Sequence, residues 1–170
     1  MNGHTDEIYT PDYAINPLLP FLNKDWKIWE CAWGTGALKE HLTKKGFIVV
    51  GEPDDNFLDR QEVYLNKFDI IITNPPYSKK EEFLKTAYKI GRPFAFLLPL
   101  TALEGKKRGE LFRQYGIQLI IPDRRINFIT PNRGKSSWFA TAWFCWKFNL
   151  PKDLMFVELN KSGVQARQSA

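Results

Sequence analysis

The apolar residues of this chain fall into short unbroken runs, and that pattern limits the fold more than any other feature of the sequence. The runs are "IWECA" (28–32), "FIVV" (47–50), "FDIII" (68–72), "PFAFLLPL" (93–100), "IQLII" (117–121) and "WFATAWFCWKF" (138–148). Half-exposed strands alternate apolar and polar residues, whereas unbroken runs suit strands covered on both faces, as in a parallel sheet. Between the runs lie helical patterns. "ALKEHLTKKG" sets Leu38 and Leu42 one turn apart and ends at Gly46. Ser78 and Glu81 have capping-box spacing ahead of Phe83, Leu84, Ala87 and Tyr88 on one face, and Gly91 and Pro93 stop that helix. "GKKRGELFRQYG" reads as a basic helix ended by Gly116. Before the first run, Thr10 as N-cap with Pro11 at the first helical position, then Asn16 with Pro17, predict short broken helices.

Strands alternating with helices predict an α/β domain with a mostly parallel sheet, helices on both faces and ligands at the carboxyl ends of the strands. "DRRINFITPNRGKSS" (123–137) is too short and polar for a crossover helix. The last two strands are therefore expected to be antiparallel neighbours joined by a long loop. One domain over 1–150 and a partly flexible tail over 151–170 complete the expected layout.

At 170 residues and 44% apolar composition, the chain buries roughly 70% of its unfolded surface without needing staples. Cys31, Cys145, His4 and His41 are scattered without metal-ligand spacing, so no metal is expected. No apolar run is long enough for a membrane helix, and the polar N-terminus lacks the apolar stretch of a signal peptide, which makes a reducing cytoplasm the expected location. Charge is split: residues 1–85 hold 10 Lys/Arg against 14 Asp/Glu, and residues 86–170 hold 14 against 5. A basic half of this kind hints at a polyanionic partner.

Three places carry chemistry. In "ECAWGTGAL" (30–38), Gly34 and Gly36 let backbone turn tightly and approach a ligand, either an adenosine-type cofactor or nothing beyond a strand-to-helix turn. Glu52 closes the second run, as a ribose-binding acid or a solvated one. The third is "NPPY", Asn74, Pro75, Pro76 and Tyr77, directly after the third run. Two prolines delete two N–H donors and stiffen the corner, leaving carbonyls plus the Asn74 side-chain oxygen as acceptors for an amino group, with Tyr77 as a stacking face.

With these residues in view, the sequence resembles the S-adenosylmethionine (SAM)-dependent amino-methyltransferases, especially N6-adenine DNA methyltransferases of small phage or bacterial type. NPPY is similar to their catalytic [DNS]PP[YFW] motif. Glu30, Gly34 and Gly36 resemble their E-P-F-x-G-x-G cofactor loop, with Cys31 and Ala32 in place of Pro and Phe. Tyr9, Thr10 and Pro11 resemble the segment that packs on the methionine end of SAM. The resemblance spans about Tyr9 to Lys147 and implies a single Rossmann-like class I methyltransferase domain with an antiparallel last strand. It further implies SAM as cofactor, Glu52 at the ribose, Asn56 and Phe57 at the adenine, and Asn74 beside the methyl group. A duplex base would flip into the site, stacked by Tyr77 and, across from it, by Phe128, which is equally readable as core. Lys79, Lys80, Arg124, Arg125 and Arg133, with Lys135 and Lys106 to Arg108, would meet phosphates of nucleic acid, DNA first. Trp33, inside the glycine turn, is placed to shape the pocket, and the other tryptophans read as core.

The implied reaction needs no metal. The same motif also serves cytosine N4, RNA adenines and, ranked last here, a protein glutamine amide. A SAM-fold protein that binds nucleic acid without turnover is the reading from a different class. The spacing leaves no room for a separate target-recognition domain between the motifs, so a partner chain or a homodimer is an open source of specificity.

Overall fold

The computed structural model describes residues 9–59, 61–130, 134–135 and 139–161. Along the chain run β1 (Lys27–Trp29), α1 (Ala37–Lys44), β2 (Ile48–Val50), α2 (Gln61–Tyr64), β3 (Ile70–Thr73), α3 (Lys80–Ile90), β4 (Phe94–Pro99), α4 (Lys106–Tyr115), β5 (Gln118–Pro122), β6 (Ile129–Thr130), β7 (Gly134–Lys135), β8 (Thr141–Trp146) and β9 (Leu154–Val157). Seven strands form one sheet in the order β2-β1-β3-β4-β8-β5-β9, and β6 pairs with β7 as a separate hairpin.

Parallel pairing joins β2, β1, β3 and β4. β8 is antiparallel to both β4 and β5, as a β5–β8 connection with no crossover helix allows. It lies between them, so β5 runs parallel to β4 and ends on the same edge of the sheet. β3 and β4 are buried along their whole length, which accounts for their unbroken apolar runs. Successive residues point to opposite faces. Ile70, Ile72, Ala95 and Leu97 join Ile28 and Trp143 in one core, which takes in Leu38 and Leu42 of α1. Ile71, Phe94, Phe96 and Leu98 face the other, where α3 lays down Phe83, Leu84, Ala87 and Tyr88. Each buried Leu, Ile or Phe among them contributes about 1.5–3 kcal/mol by leaving water.

Three local expectations give way to tertiary context. β2 is an edge strand with Ile48 60% exposed, so its apolar run is not covered on both faces. The N-cap of α3 is Lys79 rather than Ser78, and it makes no side-chain capping bond, because the proline corner first winds into a 3-10 turn, Tyr77–Lys79. Glu81 instead pairs with Lys107 at 3.3 Å and Arg108 at 3.6 Å on α4. The third concerns residues beyond 150: Leu154–Val157 forms an edge strand parallel to β5. The reversal into it uses Lys147 and Asn149 at positive φ of 55° and 54°, which the sequence does not advertise as glycine would. Among the described residues no helix is long and apolar enough to cross a membrane, and no three His, Cys, Asp or Glu side chains gather as a metal site.

Candidate active site

The carboxyl end of β3 holds the NPPY corner. The Lys79 N–H donates to the Pro76 carbonyl at 2.9 Å and closes the turn that carries Tyr77. Asn74 Nδ2 donates to Thr10 Oγ1 at 3.0 Å, so the residue expected to cap the first helix spends its hydroxyl here, and the 3-10 turn Asp12–Ile15 has no side-chain cap. Asn74 Oδ1 is buried and has no partner among the described residues. A buried acceptor left unpaired costs about 1–3 kcal/mol, a cost that a ligand donor removes. The Tyr77 hydroxyl is also buried without a partner among the described residues, and burial pushes its phenol well above the ordinary range, so it stays neutral. Lys80 Nζ donates to the Tyr77 carbonyl at 3.1 Å, which ties this lysine to the corner.

Thr10 is itself held from two sides. His41 Nε2 on α1 lies 3.0 Å from its carbonyl oxygen. Its neighbour Tyr9 exchanges backbone hydrogen bonds of 3.0 and 3.2 Å with Ile129 of the β6–β7 hairpin. That hairpin does not bring Phe128 to the substrate face. Phe128 is 2% exposed and belongs to the core, where its ring stacks on Phe139, and Phe139 meets Tyr77 edge-on with centroids 5.5 Å apart. Phe128 is buried together with Ile126, and Phe139 is the aromatic that flanks Tyr77.

At the end of β1 the chain passes through Glu30 into the glycine turn. Glu30 is 1% exposed, and its Oε1 accepts from the Ala32 N–H at 2.9 Å and from the Thr73 hydroxyl. Burial pushes its carboxyl up to about 8, against the pull of those two donors. Burial and the Glu30 carboxylate both raise the neighbouring Cys31 thiol, so Cys31 is not a nucleophile at neutral pH. Gly36 opens α1 at φ 77°, its N–H donating to Trp33 O at 2.7 Å. A methyl there would lie 3.0 Å from Trp33 Nε1.

Gly51, which belongs to no motif in the sequence, is more demanding still. At φ 130° its missing side chain faces the backbone of β1, and a Cβ would sit 2.2 Å from the Glu30 carbonyl oxygen. Gly51→Ala is expected to destabilise the fold by at least about 2 kcal/mol through strain and displacement of Glu30. A urea midpoint equal to that of the parent chain would show that the backbone yields at no cost.

These loops enclose a cavity of about 410 Å³ along the carboxyl ends of β1, β2 and β3. That lies within the roughly 300–1,000 Å³ range of small-molecule sites. Of the residues expected at a cofactor, Thr10, Glu30, Cys31, Ala32, Gly34, Asn56, Phe57 and Asn74 line it, together with Trp33 and Asp55. Tyr9, Pro11, Gly36 and Glu52 support or flank the lining without forming it. Glu52 is exposed, and its N–H donates to Asp55 Oδ2 at 2.9 Å, so the acid that lines the cavity after β2 is Asp55. Asn56 uses its amide to build its own turn, accepting from the Leu58 N–H at 3.2 Å and donating to Asp59. Phe57 packs against Trp29 and Phe83 on the cavity floor. Pro75, Pro76, Tyr77 and Lys79 complete the wall.

Arg124 and Arg125 are exposed just past β5, on the edge where the cavity opens. Arg124 pairs with Asp123 at 3.8 Å. Arg133 and Trp138 lie outside the described residues.

Superposition on solved structures decides the fold. A candidate class I S-adenosylmethionine-dependent methyltransferase from Listeria monocytogenes matches with a TM-score of 0.53 and 16% identity, covering 93% of this chain and 68% of that one. The chain has the class I methyltransferase fold. A modification subunit of a candidate type I restriction enzyme from Vibrio vulnificus shares this methyltransferase fold with a TM-score of 0.51 and 11% identity over 84% of this chain, which spans 45% of that subunit. No protein-family model matches the sequence, and no curated protein matches it.

Proposed function

We propose that the protein is a SAM-dependent methyltransferase that modifies an exocyclic amine of a nucleobase, adenine N6 in DNA before other targets. The observation that carries this reading is the state of Asn74: one end of its amide is fixed on Thr10, while the other is a buried, unpartnered acceptor beside two prolines and an aromatic ring. The cavity fits the cofactor. Glu30 and Asp55 offer acidic groups to its ammonium and hydroxyls, Phe57 an aromatic surface, and Gly34 a wall of bare backbone.

Bound there, SAM supplies an electrophilic methyl group. The corner prepares the amine. Asn74 Oδ1 and the Pro75 carbonyl accept its two hydrogens and draw the nitrogen from planar toward tetrahedral geometry, which returns the lone pair from the ring. With its lone pair freed, the amine could take the methyl group that SAM would supply, and its surplus proton would pass to solvent. Catalysis is then positioning plus fixed dipoles. Tyr77, neutral and buried at its hydroxyl, offers its ring as a stacking surface worth about 1–3 kcal/mol for a base. The structural likeness to a restriction-modification subunit agrees with DNA as substrate.

The deciding assay incubates the protein with methyl-labelled SAM and duplex DNA, single-stranded DNA or RNA, then digests and identifies the labelled nucleoside. N6-methyladenine from DNA is the expected product. SAM binding by calorimetry with no substrate labelled would favour a non-catalytic nucleic-acid binder instead.

The rim makes a separate prediction. Replacing Lys79, Arg124 and Arg125 together with Gln should weaken nucleic-acid binding and reduce the slope of log affinity against log salt by about 0.9 for each duplex phosphate that is no longer neutralised. A slope equal to the parent's would take these residues out of the interface.

A further inference from the structure

We propose that Thr10 is a positioning residue that anchors the Asn74 amide in place. The inference rests on the reading of Asn74 as the amine acceptor and adds what holds that acceptor in place. An amide is nearly symmetric in shape but opposite in hydrogen-bonding sense at its two ends. Turned over, Asn74 would present N–H to an incoming amine, donor against donor.

The Thr10 hydroxyl is the partner that Asn74 Nδ2 has, at 3.0 Å. A hydroxyl can serve either end of an amide, so what Thr10 supplies is a fixed anchor for the amide plane, and the orientation in the structure spends Nδ2 on that anchor and leaves Oδ1 for the amine. Thr10 is 4% exposed, clamped through its carbonyl by His41 and through the Tyr9–Ile129 bridge by the β6–β7 hairpin. Two elements distant in sequence thus fix one hydroxyl, and that hydroxyl fixes the acceptor.

Thr10→Val keeps shape and burial but removes the hydrogen-bond acceptor. Thr10→Ser keeps the acceptor. Labelled-methyl transfer and SAM affinity are measured for both, with Asn74→Ala as control. In parallel, the side-chain NH2 resonances of Asn74, identified by their loss in Asn74→Ala, are followed by NMR for hydrogen exchange.

Thr10→Val is expected to lower kcat at least tenfold with SAM affinity held within about threefold, and to speed exchange of the Asn74 NH2 protons. Thr10→Ser should recover most of both. Parent-like kcat or unchanged NH2 exchange in Thr10→Val, or a Thr10→Ser variant as impaired as Thr10→Val, overturns the role of Thr10. If Asn74→Ala itself keeps full transfer, the reading of Asn74 fails instead. The NMR arm needs no knowledge of the substrate.

Discussion

Asn74→Ala is expected to lower methyl transfer by at least about 10²–10³-fold, the usual consequence of deleting one preorganised group that acts on charge developing in the transition state. SAM affinity should stay within a few fold. The wall that would hold the cofactor comes mainly from the turns after β1 and β2, and Asn74 is one lining residue among many. The alanine leaves Thr10 without its partner but empties no core position, so the variant should fold and melt close to the parent. Single-turnover transfer and calorimetric titration with SAM check the two halves of this expectation. An equal loss of SAM binding would mean that Asn74 is a cofactor ligand and that the amine is held elsewhere.

The second large effect belongs to Glu30. Its carboxyl titrates near 8 in the folded protein and near 4.5 when unfolded, because burial penalises the charge. Between those values the folded state holds a proton that the unfolded chain gives up, so stability falls as pH rises through this window and levels off above about 8. Glu30→Gln keeps an acceptor for Ala32 and Thr73 without a charge to bury. The variant should therefore be as stable as the parent at about pH 4.5 and increasingly more stable as pH rises to 8, by an amount on the order of a few kcal/mol. The same substitution should weaken SAM binding tenfold or more, since an ammonium beside Glu30 favours the ionised form. In the parent, SAM binding at neutral pH should release a proton, seen as a dependence of calorimetric heat on the buffer's ionisation enthalpy. Urea midpoints from pH 6 to 9 that run parallel in parent and variant would remove Glu30 as the titrating group.

The sheet could be read ahead of the structure wherever strands are buried on both faces, because desolvation writes an unbroken apolar run. β3, β4 and β8 are of that kind. β9 could not, since an edge strand of four residues with Leu154 and Phe156 in the open resembles an ordinary tail; Phe156 is 75% exposed. The corner at Asn74 was legible because Pro-Pro and an aromatic at a strand end have few structural uses. The acid on the cavity wall was not, because Glu52 and Asp55 look equivalent in sequence. Only the turn that spends the Glu52 backbone N–H on Asp55 tells them apart. Thr10 was misread for a related reason: a threonine before proline is a sound helix cap, and nothing local reveals that its hydroxyl is claimed from 64 residues away. Phe128 and Phe139 share one loop, and only the pairing of Tyr9 with Ile129 decides which ring faces Tyr77.

The clamp around Thr10 also governs when the site comes into being. The contacts that orient Asn74 join Thr10 to Asn74, and Tyr9 to Ile129, with most of the chain lying between the outermost partners. Closing such long loops is entropically slow, whereas the β3–α3 corner is local. Folding should therefore produce the proline corner early and a competent acceptor late, after the β5–β8 connection has docked on the first turns. Any local opening that parts Thr10 from Asn74 would likewise disarm the acceptor while leaving the sheet intact.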